Sequence, residues 1–148
     1  MEINGLPLHA LVVHAAVVFG PLSALAGLVY AVPRWRDKAR WPLVVSVLIA
    51  VGAIWVAYLS GEQVEEANEY GGPLEALLKT HEERAEMLRL LMSGYAVAAL
   101  LAAWQHARTG AVRVLLTGLV VVLAVLAAVW TVLTGDAGAQ IAWYGTNG

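Results

Sequence analysis

The sequence predicts an all-α fold: a transmembrane, up-down bundle of four helices in a single domain, residues 1–148, with both termini on the extracytoplasmic side. Three observations lead there. The chain is 60% hydrophobic and 14% charged over 148 residues, where a soluble protein carries about 25% charged residues. Its apolar residues gather into four runs, 6–32, 41–61, 90–105 and 114–134, and about 20 such residues cross about 30 Å of hydrocarbon. The third run reaches that length by extending back through Arg89 to Ala85. Finally, the charge is segregated. Arg34, Arg36, Lys38, Arg40, Arg108 and Arg113 lie in two short connections and mark a cytoplasmic side, while residues 62–83 carry seven glutamates against Lys79.

The four helices are expected at about 6–32, 41–66, 74–106 and 111–134. Pro7 can open the first, because its missing N–H costs nothing at the first helical position, and "VPRWR" closes it. Pro21 should kink it and free the carbonyl of Val17, which in lipid needs an internal partner. The second starts at the interfacial Trp41 and continues past Gly61 into "EQVEEANE", until "EYGGP" breaks it. "PLEALLKTHEERA" is an amphipathic lead-in to the third span. The fourth ends at Thr134, with Gly135 and Gly138 closing it and Trp143 and Tyr144 at interface level. No internal repeat or low-complexity segment is evident. Gly52, Gly94 and Gly118 suggest close helix packing.

Without cysteine, a disulfide, a thiolate iron–sulfur cluster and a covalent c-type haem are excluded. "MEINGLP" has no basic n-region and no cleavage site follows, so the first helix reads as retained rather than as a signal peptide. No basic run outside the two connections suggests nucleic acid. No serine nucleophile is paired with a base in a hydrolase motif.

Four histidines remain: His9, His14, His81 and His106. An ionisable side chain at bilayer depth is a functional candidate, because it costs several kcal/mol unless something binds it. Counting about 1.5 Å of rise per residue puts His9, Glu62, His81 and Asp136 in one layer at the outer boundary, with His14 and Arg89 deeper. His9 and His14 differ by about 140° around their helix, so one faces the bundle and the other faces headgroups; the deeper His14 has the greater need of a buried partner. His81 shares an inward stripe with Arg84, Ala85, Leu88, Met92, Tyr95 and Ala99. Arg89 must snorkel or meet an acid, a carbonyl or an anion. His106, beside Arg108, reads as solvated, and Met92 as core filler or an axial ligand. For His9 and His81 taken singly, hydrogen bonds to water and headgroups suffice; for His14 a bond to a carbonyl or serine competes with ligation.

"LPLHALVVHAAVV", "YLSGEQVEEA", "THEERAEM" and "TGDAGAQIAWYG" together resemble the bacterial membrane family Domain of Unknown Function 2231 over the whole chain. The family's opening His-x4-His motif usually has a proline after each histidine; Ala10 and Ala15 stand there in this sequence. Its third-helix histidine matches His81, and its glycine-rich close matches Gly135, Gly138, Tyr144 and Gly145. The resemblance implies a plan similar to four-helix b-type cytochromes, a bacterial cytoplasmic membrane location and, since some members are fused to Rieske or cytochrome domains, electron transfer.

Three functions stay open. The first is an electron carrier with heme b near the outer leaflet between the first and third helices, His14 and His81 as axial ligands, His9 able to replace His14, and Arg84 or Arg89 pairing the propionates. The second is a haem-free copper, zinc or iron site built from His9, His14 and His81 with Glu62, Glu66 and Asp136. The third is a non-catalytic accessory subunit whose acidic outer layer docks a partner. The expected surroundings are the lipid bilayer, a redox partner on the extracytoplasmic side, and either a homo-oligomer or a larger complex.

Overall fold

The computed structural model describes residues 2–3, 6–66 and 68–147. A two-residue ladder pairs β1, Glu2–Ile3, with β2, Leu6–Pro7, and four helices follow: α1 Leu8–Ala31, α2 Arg36–Glu66, α3 Pro73–Trp104 and α4 Ala111–Asn147. All four are long and apolar enough to span a bilayer, and the all-α bundle expected from the apolar runs is the observed fold. α1 packs on α2 and α4, and α3 packs on α4 and α2, so α1 and α3 face each other across the bundle diagonal.

Two boundaries differ from expectation. α2 begins at Arg36 rather than Trp41, with Asp37 in its first turn and Pro42 inside the helix. α4 does not stop at Thr134 but runs to Asn147. Gly135 and Gly138 are helix interior, and glycine there costs only about 1 kcal/mol relative to alanine. Left-handed glycines, Gly72 and Gly110, instead mark the turns before α3 and α4.

The bundle contains an internal repeat that the residue identities conceal. α1 and α3 run in the same direction, and a shift of 72 residues, the separation in the Tyr30–Ala102 and Ser23–Tyr95 hydrogen bonds, superposes their buried positions. Ala16 corresponds to Leu88, Gly20 to Met92, Ser23 to Tyr95, Ala24 to Ala96, Gly27 to Ala99 and Tyr30 to Ala102, all buried. In α2 and α4, Leu43 corresponds to Val120, Val47 to Ala124, Ala50 to Ala127 and Ile54 to Thr131, again all buried. The chain is thus two helical hairpins related by a pseudo-two-fold axis along the bundle, a parallel repeat. The pattern escapes notice in sequence because large and small residues exchange across the axis.

That exchange sets the diagonal packing. Tyr30 and Tyr95 are fully buried, and each spans the diagonal to donate its hydroxyl to a backbone carbonyl, Tyr30 to Ala102 and Tyr95 to Ser23. A Cβ at Gly27 would overlap the Tyr95 hydroxyl. Met92 is fully buried in this core. Gly52, Gly94 and Gly118, by contrast, would meet nothing within 4 Å if they carried a Cβ, so they lie open and do not mediate the contacts expected of them.

The basic end is closed by a second network. Tyr30 also meets His106 Nδ1 at 3.0 Å, and His106 Nε2 donates to Asp37 at 2.7 Å. His106, expected in solvent, has a side chain only 16% exposed. Arg36 lies 4.4 Å over the Tyr30 ring and donates to Thr117, while Arg40 donates to the Ala103 carbonyl.

If Gly27 is small in order to admit the Tyr95 hydroxyl, Gly27→Ala should cost about 1–3 kcal/mol by overpacking and Tyr95→Phe about 1 kcal/mol for the lost hydrogen bond. The double variant should be less destabilised than the sum of the two, measured by reversible unfolding in mixed detergent micelles.

A candidate cofactor site at the acidic end

The acidic end of the bundle encloses a cavity of about 780 Å³ to which all four helices contribute, within the range of about 300–1,000 Å³ typical of ligand pockets. His9 and His81 border it from the two diagonal helices. They are equivalents under the pseudo-two-fold, and their surroundings match. His9 Nδ1 lies 2.9 Å from the Ala57 carbonyl on α2, with Ser60 Oγ at 3.2 Å. His81 Nδ1 lies 3.1 Å from the Thr134 carbonyl on α4. A carbonyl only accepts, so each Nδ1 carries a proton, and in the neutral ring Nε2 is the nitrogen that presents a lone pair. Among the described residues neither Nε2 has a protein hydrogen-bond partner.

Each ring rests on a glycine one turn beyond its carbonyl. A Cβ on Gly61 would lie 3.2 Å from His9 Cε1, and a Cβ on Gly138 3.2 Å from His81 Cε1. The glycines therefore let each imidazole lie flat on the neighbouring helix, while the carbonyl one turn earlier fixes its tautomer. This is the outer-shell arrangement that orients ligating histidines.

His14 behaves differently. Its Nδ1 lies 2.6 Å from the Ala10 carbonyl of its own helix, and it is exposed while still bordering the cavity. The expectation that the deeper His14 turns inward is corrected: His9 takes the bundle-facing direction, because a ring at that position can reach Ala57 and Gly61. Glu62 borders the cavity, as do Glu65 on α2 and Glu82 on α3. Glu66 and Asp136 do not border it; Asp136 accepts from Gln140 and lies 3.9 Å from Arg84.

Neither of the two arginines expected to pair propionates borders the cavity. Arg84 donates to the Leu133 carbonyl. Arg89 lies 4.4 Å from the Tyr58 ring and 4.7 Å from the Trp55 ring, with Glu86 at 3.9 Å. Lys79 is the ammonium group that borders the cavity among the described residues. No group of three or more histidine, aspartate or glutamate side chains comes together to hold a metal ion among those residues, so the expected set of His9, His14, His81, Glu62, Glu66 and Asp136 is not assembled as one centre.

A family model described as "Predicted membrane protein (DUF2231)" matches residues 5–147. The chain belongs to this family. The four spans and the paired His9 and His81 are therefore features of a DUF2231 protein, in agreement with the resemblance carried by its histidine and glycine motifs. No curated protein and no solved structure matches the chain.

The site residues that sequence reasoning did not single out are Gly61, Ala57 and Thr134, while Gly138 was read as closing a helix and as part of the family resemblance rather than as a seat for His81. The signal that locates them is the repeat, since the spacing from His9 to His81 equals that between the diagonal hydrogen-bond partners. Two-dimensional ¹⁵N–¹H spectra of histidine-labelled protein should show His9 and His81 as Nδ1–H tautomers. Gly138→Ala should shift the His81 resonances and leave those of His9 in place; movement of both or neither would contradict the packing described.

Proposed function

We propose that this protein is a membrane electron carrier that would hold b-type haem at its acidic end through His9 and His81. The observation that carries the reading is the pair itself: two imidazoles on diagonal helices, both held as the Nδ1–H tautomer by a carbonyl, both with Nε2 unengaged, bordering one cavity. Bis-histidine ligation from facing helices is what such a bundle can offer without cysteine. The size of the cavity also supports it, because a bare ion needs no such volume. A haem so held would supply one-electron transfer at iron.

The chain's own residues would divide the remaining work. The Ala57 and Thr134 carbonyls keep the rings oriented and raise their basicity. Gly61 and Gly138 leave room for the rings to lie flat. Lys79 takes the place proposed for Arg84 or Arg89 as partner to a carboxylate on the ligand. Small and apolar residues such as Ala10, Val13 and Ala85 border the same cavity.

A second reading, a haem-free metal cation, is favoured by one observation: Glu62, Glu65 and Glu82 border the same cavity as the imidazoles and attract positive charge. Purification with haem supplied separates the two. The haem reading expects a Soret band and a low-spin, six-coordinate spectrum after dithionite reduction, lost in His9→Ala and in His81→Ala and retained in His14→Ala. Stoichiometric copper, zinc or iron without a Soret band supports the cation instead, and neither signal removes both.

The acidic end is assigned to the extracytoplasmic side of a bacterial cytoplasmic membrane, because the arginines and Lys38 gather at the other end. The chain has no cysteine, so single replacements report without background. A membrane-impermeant maleimide on intact cells should label Glu69→Cys and spare Lys38→Cys; the reverse pattern inverts the topology.

A further inference from the structure

The basic half of the molecule carries a second hollow, on the outside of the bundle. It is a groove of about 410 Å³ between α1 and α2 that shares no lining residue with the histidine cavity. Leu22, Leu25 and Val29 wall it from α1, and Ala39, Pro42 and Ser46 from α2. Ser46 turns its hydroxyl back onto the Leu43 carbonyl, so that donor is already engaged. From Lys38 to Ser46 the helix advances eight residues, about 12 Å at about 1.5 Å per residue. One leaflet supplies about 15 Å of hydrocarbon, half of about 30 Å. The groove therefore has the depth and the polarity that an acyl chain requires.

Its end nearest the basic connection is charged. Lys38 and Trp35 border the groove there, and both are exposed; an indole at that level belongs among headgroups. Asp37, the one acid in the connection between α1 and α2, accepts from His106, and among the described residues neither Lys38 nor Arg34 forms an ion pair. Arg36 and Arg40 are spent inward, on Thr117 and on the Ala103 carbonyl. An unneutralised ammonium beside an apolar groove complements a phosphodiester that carries a hydrocarbon tail, and basic pockets between spanning helices bind anionic headgroups. The pseudo-two-fold supplies an internal comparison. The positions on α4 equivalent to Lys38, Ala39, Pro42 and Ser46 are Leu115, Leu116, Leu119 and Leu123. The cation and the three smaller side chains thus occur together on α2 and are all leucine on α4.

We propose that the α1–α2 groove binds one anionic phospholipid from the leaflet at the basic end, its phosphate on Lys38 and an acyl chain along Ala39, Pro42 and Ser46. The proposal depends neither on a cofactor at the acidic end nor on which side of the membrane the basic end faces.

The test uses the full chain in phosphatidylcholine nanodiscs doped with increasing phosphatidylglycerol, with native mass spectrometry counting the lipid retained. Saturable retention of one phosphatidylglycerol per chain is expected, in preference to phosphatidylcholine. Lys38→Gln should weaken it about fivefold, the effect of one cation near a charged lipid, and Pro42→Leu, which installs the residue that α4 carries, should weaken it as well. Arg108→Gln removes an exposed cation outside the groove and should leave retention unchanged. Melting in detergent is compared first, and Lys38→Gln against Arg108→Gln decides the matter if Pro42→Leu fails to fold. The proposal is overturned by equal retention of the two lipids, by wild-type affinity in Lys38→Gln, by equal losses in Lys38→Gln and Arg108→Gln, or by displacement with glycerol phosphate, which brings the anion without the chain. A dimer that Pro42→Leu separates would make the groove a contact between copies and overturns it too.

Discussion

A helix in hydrocarbon satisfies its own backbone, yet each carbonyl keeps a second lone pair, and this bundle is tied together by side chains that reach those lone pairs on other helices. His9 bonds Ala57, His81 bonds Thr134, Tyr30 bonds Ala102, Tyr95 bonds Ser23, Arg40 bonds Ala103 and Arg84 bonds Leu133. Such bonds need no acidic partner and no water, so they survive where apolar attraction between helices is weak. They also fix rotation about each helix axis, which lipid does not. The orientation of both cavity histidines follows from this one kind of contact.

The pseudo-two-fold adds economy and then departs from it. Where the hairpins agree, they build a matched pair of imidazoles on matched glycines. Where they differ, they give the cavity two unlike walls: glutamates and Tyr58 on one side, and alanines, valine and His14 on the other. The large-for-small exchange at Ser23 and Tyr95, or Tyr30 and Ala102, is what allows the duplicated halves to interlock across the diagonal.

Which histidine turns inward was beyond a helical wheel. His9 and His14 were correctly placed on opposite directions of α1, but depth alone favoured His14. The outcome turned on Gly61 and Ala57, some fifty residues away, which offer His9 a flat seat and an acceptor. Arg84 shows the same thing. Its place on the inward stripe was legible, but its partner, the Leu133 carbonyl, belongs to a helix whose facing residues only packing brings near. His106 was read as solvated from its charged neighbour, and the Tyr30 hydroxyl drew it in.

Composition, run length and charge segregation by themselves determined four spans, their order and the placement of imidazoles and carboxylates near one end, because crossing hydrocarbon is a local demand met by each segment alone. Helix rotation, the continuation of α4 past Gly135, the hidden two-fold and the difference between the two cavity walls were decided only by tertiary structure. Those features depend on pairs of residues far apart in the chain, and a residue's identity states what it can bond to without stating what it will meet.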